Sequence, residues 1–488
     1  MENLDKEVKE LNDQRKEHFL SLRKKKINNY ILKRRLGINN ASYSIKKEEI
    51  VIKEEFKTKH FKDLNDLLNF SSSILGNEKS DINDIKFIIC LLKMTEIKND
   101  NGEISKSNIL KEILKVFNNY INDLIIVDEL ISILINFTFY LTTETKMNLI
   151  TNEYLNIFAK LATQYFKDET IFQDLIILLG NIVNDNIQAQ KIFYQTNLFE
   201  EIYKLAQNPK APKGKKNNCL LFLANFTIGI QTNNYFINNN QLLESLTDIM
   251  VSNLETEGLT ESSLESIGNL SEIDSLGKYI VTKKELFFFI FEKMQPKYYI
   301  QGNKILVNLT YFNEDINLYL IENYKQAIPY IYKLLNISSN LIRGEMIFLL
   351  GNLIEFNHSK INEILYNNGL YDKIFEFIDS PFVEILEKVL YTSNIILSSL
   401  NKEGIFRLYQ KNIHIKLLNI LKNDYRRNII DSVVDAIFEF ILKDSQDRVI
   451  RQSFLDNGIR EIFTNMSVDK NDAELYLKSE HILKSYFE

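Results

Sequence analysis

An asparagine recurs inside an apolar helical pattern at near-constant spacing, and this limits the possible folds more than any other feature of the chain. The stretches are LISILINFT (130–138), IILLGNIVND (176–185), LLFLANFTIG (220–229), LESIGNLSEI (264–273), NKILVNLTYF (303–312), IFLLGNLIEF (347–356) and VLYTSNIILS (389–398). They carry Asn136, Asn181, Asn225, Asn269, Asn308, Asn352 and Asn394, at successive spacings of 45, 44, 44, 39, 44 and 42 residues. A single compact core does not repeat itself in this way, whereas stacked helical units do. The length of 488 residues also exceeds what one helical core fills. With 15 Gly and 5 Pro, the chain lacks the turn chemistry of a many-stranded sandwich or barrel.

A period of about 40–47 residues with two or three helices per unit is the armadillo/HEAT signature. The expected fold class is therefore all-α, a right-handed armadillo-repeat superhelical solenoid. Asparagine is a poor helix former that prefers local hydrogen bonds. At one site per repeat, amid apolar residues, it must do something in return. Two readings stand. The amides form a row that clamps the N–H and C=O of an extended peptide, or they bridge neighbouring turns inside the solenoid. Seven in register favour the clamp.

Composition removes other classes of function. Cys90 and Cys219 are the only cysteines, so neither a disulfide framework nor a thiolate zinc site is expected. The five histidines lie far apart, with no HxxxH or HExxH spacing. No P-loop, GxGxxG after a strand or GxSxG is present. An enzyme is not expected, nor any cofactor or metal. No apolar run approaches the ~18–20 residues that cross a bilayer, so no membrane insertion is expected. The acid-rich start (Glu2, Asp5, Glu7, Glu10, Asp13, Glu17) has no apolar core of a signal peptide and does not read as a mitochondrial presequence. Net charge is −6, yet residues 14–37 carry +8, which leaves −14 on the remainder. A basic arm on an acidic body suggests a basic partner for the body, or association of arm with body. An acidic body without nucleic-acid motifs argues against direct nucleic-acid binding.

At this point the residues resemble the importin α (karyopherin α) family of nuclear-import adaptors, over nearly the whole chain. ILLGNIVND (177–185) is similar to the family's groove helix, LIRGEMIFLLGNLIEFN (341–357) to a later repeat, and DAELYLKSEHILKSYF (472–487) to its last helix. The most specific match is LRKKKINNYILKRR (22–35), which resembles the importin-β-binding pattern: Leu22, Arg23, Lys24 and Lys26 lead, and Lys33, Arg34 and Arg35 close it. The resemblance implies that this segment binds importin β and folds back, as a mimic of a nuclear localisation signal, into the protein's own groove. The expected organisation is a basic segment at 1–40, a flexible linker at 41–60, and armadillo repeats with C-terminal capping helices at 61–488.

In the family, tryptophans four residues before each asparagine stack on lysine stems, the asparagines clamp backbone, and acids take the ammonium groups. This chain has no tryptophan. The equivalent positions hold Ser132, Ile177, Leu221, Glu265, Lys304, Phe348 and Leu390, of which only Phe348 is aromatic. Lys304 falls where the family itself carries a cation. Asp185 and Thr145 match the main lysine socket, and Glu272 and Glu387 match acids elsewhere in the groove. The cluster Lys210–Lys216 reads as a solvated inter-helix loop, marked by Pro212 and Gly214.

The resemblance thus implies an adaptor that shuttles between cytoplasm and nucleus. It would bind basic nuclear localisation signals of cargo proteins along the asparagine row and link them to importin β, with an export receptor as a further partner. The alternative is an armadillo scaffold for protein interactions, or a specialised paralogue with altered cargo that does not support general import.

Overall fold

The computed structural model describes residues 61–487 apart from 78, 95–102, 139–140, 142–144, 146–151, 167, 185, 257, 357, 424–426, 445–447 and 467–472. The basic segment 22–35 and Asp185 lie outside the described residues. The chain divides into two compact units, Met1–Asn234 and Tyr235–Glu488. Among the described residues the regular structure is helical throughout.

The repeat seen in the sequence is a three-helix unit. In the second unit, one repeat runs Glu314–Asn323, Ala327–Leu335, Asn340–Glu355; the next runs Ser359–Asn367, Leu370–Phe375, Val383–Ser399; a third runs Lys402–Gln410, Ile413–Leu421, Arg427–Leu442. The third helix of each of these repeats is the longest; in the first two it carries a recurrent asparagine, Asn352 and Asn394, and Arg427–Leu442 stands at the equivalent place without one. In the first unit these ladder helices are α1 (Leu124–Phe137), α2 (Glu169–Val183) and α3 (Lys213–Phe226). In the second they are α4 (Thr260–Leu270), α5 (Tyr299–Phe312), α6 (Asn340–Glu355), α7 (Val383–Ser399) and α8 (Arg427–Leu442). Within the first unit α2 packs on α1 and on α3; within the second, each of α4 to α8 packs on the next. This is an armadillo-type solenoid, in which each repeat buries its apolar face against its neighbours.

Local chemistry sets the boundaries of the helices. Asp123 caps α1 by accepting from the N–H groups of Ile125 and Ile126, and Asp168 caps α2 through Thr170 and Ile171. Asn186, Asn239, Asn313 and Asn401 cap shorter helices in the same way. Such caps contribute about 0.5–2 kcal/mol each and account for part of the heavy asparagine usage. The turns between Ser359–Asn367 and Leu370–Phe375, between Lys402–Gln410 and Ile413–Leu421, and between Val449–Asp456 and Ile459–Met466 each need a left-handed residue. Gly369 (φ 73°), Asn412 (φ 60°) and Gly458 (φ 88°) supply it, and these are residue types that tolerate that region.

The ladder helices read as nearly continuous apolar runs because they are covered on almost every side. Residues 301–310 of α5 and 344–354 of α6 are buried throughout. Aromatic packing fills the space between helices, as in the edge-on pair Phe117–Phe158 (ring centroids 5.9 Å) and the tilted pair Phe199–Phe226 (4.9 Å). No helix among the described residues is long and apolar enough to cross a membrane.

Candidate functional site

The asparagines do fall at equivalent places on successive ladder helices, and the side-chain amides of Asn181, Asn308 and Asn352 are wired alike. In four repeats the residue two after the asparagine bears a hydroxyl: Thr138, Thr227, Ser271 and Thr310. Each hydroxyl donates to a carbonyl of its own helix, as Thr138 does to Ile135 (2.7 Å) and Ser271 to Gly268 (2.7 Å). Its lone pairs can then accept from the next repeat. Asn181 donates to Thr138 Oγ1 at 3.0 Å. Asn308 donates to Ser271 Oγ at 3.1 Å and to the Gly268 carbonyl at 3.0 Å. Asn352 donates to the Val307 carbonyl at 3.2 Å and to Thr310 Oγ1 at 3.4 Å. For Asn181, Asn308 and Asn352 the bridging reading therefore corrects the simple clamp: the amide N–H groups hold one repeat to the previous one. Asn352 has no exposed surface, and Asn181, Asn225, Asn269 and Asn308 keep at most 8%.

The rule changes where the hydroxyl is missing. Two residues after Asn352 stands Ile354, and the following Asn394 turns the other way, donating to the Ser432 carbonyl of α8 at 3.0 Å. Thr392 reaches the vacated side instead and donates to the Ile347 carbonyl at 3.1 Å. Glycine before the asparagine also matters. A Cβ on Gly180 would sit 2.8 Å from the amide nitrogen of Asn225, so only a residue without a side chain admits that approach.

Two further expected binding groups are already engaged between α4 and α7. Glu272, expected to take a partner's cation, is already paired: Lys304 Nζ lies 2.6 Å from its carboxylate and donates to Asn269 Oδ1 at 2.9 Å. The stem of Lys304 runs over Gly268, where an added Cβ would come within 3.1 Å of it. Phe348, expected to offer an open aromatic surface, is 1% exposed, with its ring tilted against Tyr391 (centroids 6.4 Å). The cause is the same in each case, since the space above these helices is filled by side chains of the next repeat.

The ladder is more open along α7 and α8. Asn394 and Glu387 are half-buried, Asn428 is exposed, and Asp431, Ser432 and Asp435 are half-buried. Asn428 donates to Glu387 Oε1 at 2.8 Å, Arg427 lies 3.4 Å from Asp431, and Lys478 lies 2.8 Å from Asp435. These groups form a polar ledge of carboxylates and amides.

In the first unit, Asn136 and Thr145 are half-buried. Thr145 stands nine after Asn136, as Gln190 does after Asn181 and Asn317 after Asn308. Gln190 donates to the Ile228 carbonyl (2.7 Å) and Asn317 to that of Asn352 (3.1 Å), so this repeat position ties down ends of ladder helices. The Lys210–Lys216 cluster is only partly a loop: Lys213 opens α3, and Lys215 is buried, its ammonium donating to the Phe166 carbonyl and lying 5.0 Å from the Phe166 ring.

Sequence reasoning missed a row of acids. Seven residues before the asparagine stand Glu129, Asp174, Glu345 and Glu387, with Asn218, Ser262 and Gln301 at the equivalent places between them. Seven residues are two helical turns, so these groups share the asparagine face. Glu129, Asp174 and Glu345 are at most 2% exposed. The signal was present in the repeat alignment, at the position three before the absent tryptophans.

No family model matches the chain, and no curated protein sequence does. Solved structures do. A crystal structure of an engineered protein is 14% identical and covers 86% of this chain and 99% of its own, with a TM-score of 0.68. A designed armadillo repeat protein (14% identity; 50% of this chain, 99% of its own; TM-score 0.43) and a computationally designed armadillo repeat protein for modular peptide recognition (16%; 49% and 99%; 0.44) align with about half of the chain. At such identities the likeness is one of fold. Among the described residues, no group of three or more His, Cys, Asp or Glu side chains is placed to hold a metal ion.

Proposed function

We propose that this chain is an armadillo-repeat scaffold for protein interactions, holding an extended, basic segment of a partner on its ladder face. The observation that carries this reading is the half-exposed ledge on α7 and α8, where Glu387, Asn394, Asn428, Asp431 and Asp435 present carboxylates and amides side by side. Amides suit the backbone of an extended chain, and carboxylates suit its lysines and arginines. Without tryptophan shelves, attachment leans on ion pairs, which are screened over ~8–10 Å near physiological salt.

The test is binding of a fluorescent lysine-rich peptide to full-length protein by anisotropy. Affinity should fall steeply with salt and drop several-fold in Glu387→Gln. Equal affinity for a glutamate-rich peptide of the same length would remove the reading.

A narrower function, nuclear import adaptor between basic cargo and importin β, is favoured by one further observation, the ordered basic spacing of LRKKKINNYILKRR (22–35). A scaffold has no need of that spacing. A form starting at Tyr43 separates the two. If the chain is an adaptor, truncation abolishes importin β binding and raises affinity for the lysine-rich peptide. Full-length protein that ignores importin β leaves the scaffold alone.

A further inference from the structure

We infer that the repeats ending in α6 and α7 carry a second docking patch, away from the asparagines. It takes an acidic segment of a partner protein that has a large apolar side chain among its carboxylates. The patch is separate from the ladder face and does not depend on how the ladder is used.

The chain outside residues 14–37 carries −14, yet residues 323–344 hold Lys325, Lys333 and Arg343 and no acid. The fold gathers part of this charge around aromatic rings. Arg343 stands nine residues before Asn352 on α6. Nine residues are two and a half helical turns, so the two side chains leave opposite sides of the helix. The Arg343 guanidinium donates to the Leu335 carbonyl at 3.2 Å, to the Ile337 carbonyl at 2.7 Å and to Asn340 Oδ1 at 3.0 Å. These bonds fix its plane and leave two of its five N–H groups. It lies 5.2 Å from the centroid of the Phe377 ring. Lys373, on the helix Leu370–Phe375, lies 5.4 Å from the same ring and 5.9 Å from the ring of Tyr332. Lys333 follows Tyr332 on the helix Ala327–Leu335, and both are exposed, Tyr332 by 42%. Among the described residues no carboxylate pairs with Lys333 or Arg343, and Lys373 pairs with Glu376 alone.

The rings attract these cations, but the cations repel one another, and a carboxylate set among them relieves that repulsion. The fixed guanidinium suits a carboxylate through paired N–H groups. Exposed Tyr332 offers apolar surface between the charges, which an apolar side chain of the partner covers. Packed helices of successive repeats are roughly 8–10 Å apart. An extended chain spans that in about three residues, so one short segment reaches both repeats. Nucleic acid fits less well. The rings are faced by the protein's own cations instead of standing open to bases, and the acidic body repels a long polyanion.

The test is titration of full-length protein into a fluorescein-labelled peptide of alternating glutamate and leucine, read by anisotropy. Lys333→Glu and Tyr332→Ser change exposed side chains, so both variants should keep the wild-type circular dichroism, and each should weaken binding several-fold. Glu376→Gln should strengthen it, because Lys373 then loses its internal partner. Two changes should leave it unaltered: Lys422→Glu, the same charge reversal on another repeat, and Glu387→Gln, on the ladder face. An all-glutamate peptide of the same length should bind several-fold more weakly, for want of a side chain to cover Tyr332. Binding that is unchanged in Lys333→Glu, or weakened equally by Lys422→Glu, overturns the inference. Equal binding of the all-glutamate peptide overturns it too. Tighter binding of a single-stranded oligouridylate than of the peptide, lost in Lys333→Glu, makes the patch a nucleic-acid surface and also overturns it.

Discussion

Two stretches of the second unit are built on the same repeat yet end in opposite states. From α4 to α6 the ladder is closed: Asn308 and Asn352 are tied backward, Lys304 sits on Glu272, and Phe348 is covered. From α7 to α8 it is open: Asn394 is tied forward to Ser432, and Glu387 and Asn428 face solvent in part. The local difference is small. Ser271 and Thr310 give the next asparagine a hydroxyl, and Ile354 does not. In these two stretches the amide turns back where the preceding helix offers that hydroxyl and forward where it does not. The repeat sets the positions of the groups, and the contact between repeats sets their use.

The largest effect expected from breaking this contrast is at Asn352. In Asn352→Ala the Val307 carbonyl and Thr310 hydroxyl lose their buried donor, which should cost about 1–3 kcal/mol. Asn394→Ala, in the half-buried stretch, should cost less than half of that. Chemical denaturation of both variants checks the ranking, and equal losses would mean that the two stretches do not differ as described.

A smaller effect concerns pH. His414 packs beneath α8 against Phe440 and Phe454, and burial pushes its imidazole down to about 4 from the usual 6.5. A depressed pKa means that the unfolded chain binds the proton more readily. The neutral ring therefore contributes stability above pH 6.5 that is lost as pH falls towards 4. Discounted for solvent screening, this is about 1 kcal/mol. Hydrogen-exchange protection factors, corrected for the intrinsic rate at each pH, should thus fall in α8 between pH 7 and pH 5 more than in α5 and α6, and His414→Gln should remove the excess.

The smallest effect sharpens the rule itself. Ile354→Thr restores the missing hydroxyl and should draw the Asn394 amide back to α6. A double-mutant cycle with Asn394→Ala should then show coupling of about 0.5–1 kcal/mol. The same cycle with Ile354→Val should show none.

The fold was legible because helical periodicity and repeat period are both local. The apolar runs around Asn181 and Asn352 marked ladder helices, and the spacing marked units of two or three helices. The amide partners were not legible. Thr138 and Asn181 are 43 residues apart, and Lys304 and Asn269 are 35 apart, so no spacing within one helix reveals them. Glu272 matched a binding position by its offset from Asn269, yet the decisive neighbour came from the next repeat. The row at Glu129, Asp174 and Glu345 could have been found by aligning repeats seven before each asparagine; it was hidden because Asn218, Ser262 and Gln301 interrupt it.

By itself, then, the sequence determined the repeat, the helix that bears each asparagine, and the face it shares with the acids. These follow from 3.6 residues per turn and a near-constant period. Only the tertiary structure decided which amides bind the protein itself and where the ladder stays open. A hydrogen bond between repeats depends on how closely two helices approach, and that is fixed by small features of the facing helix, such as Gly268, Thr310 and Ile354, some 40 residues away in the chain.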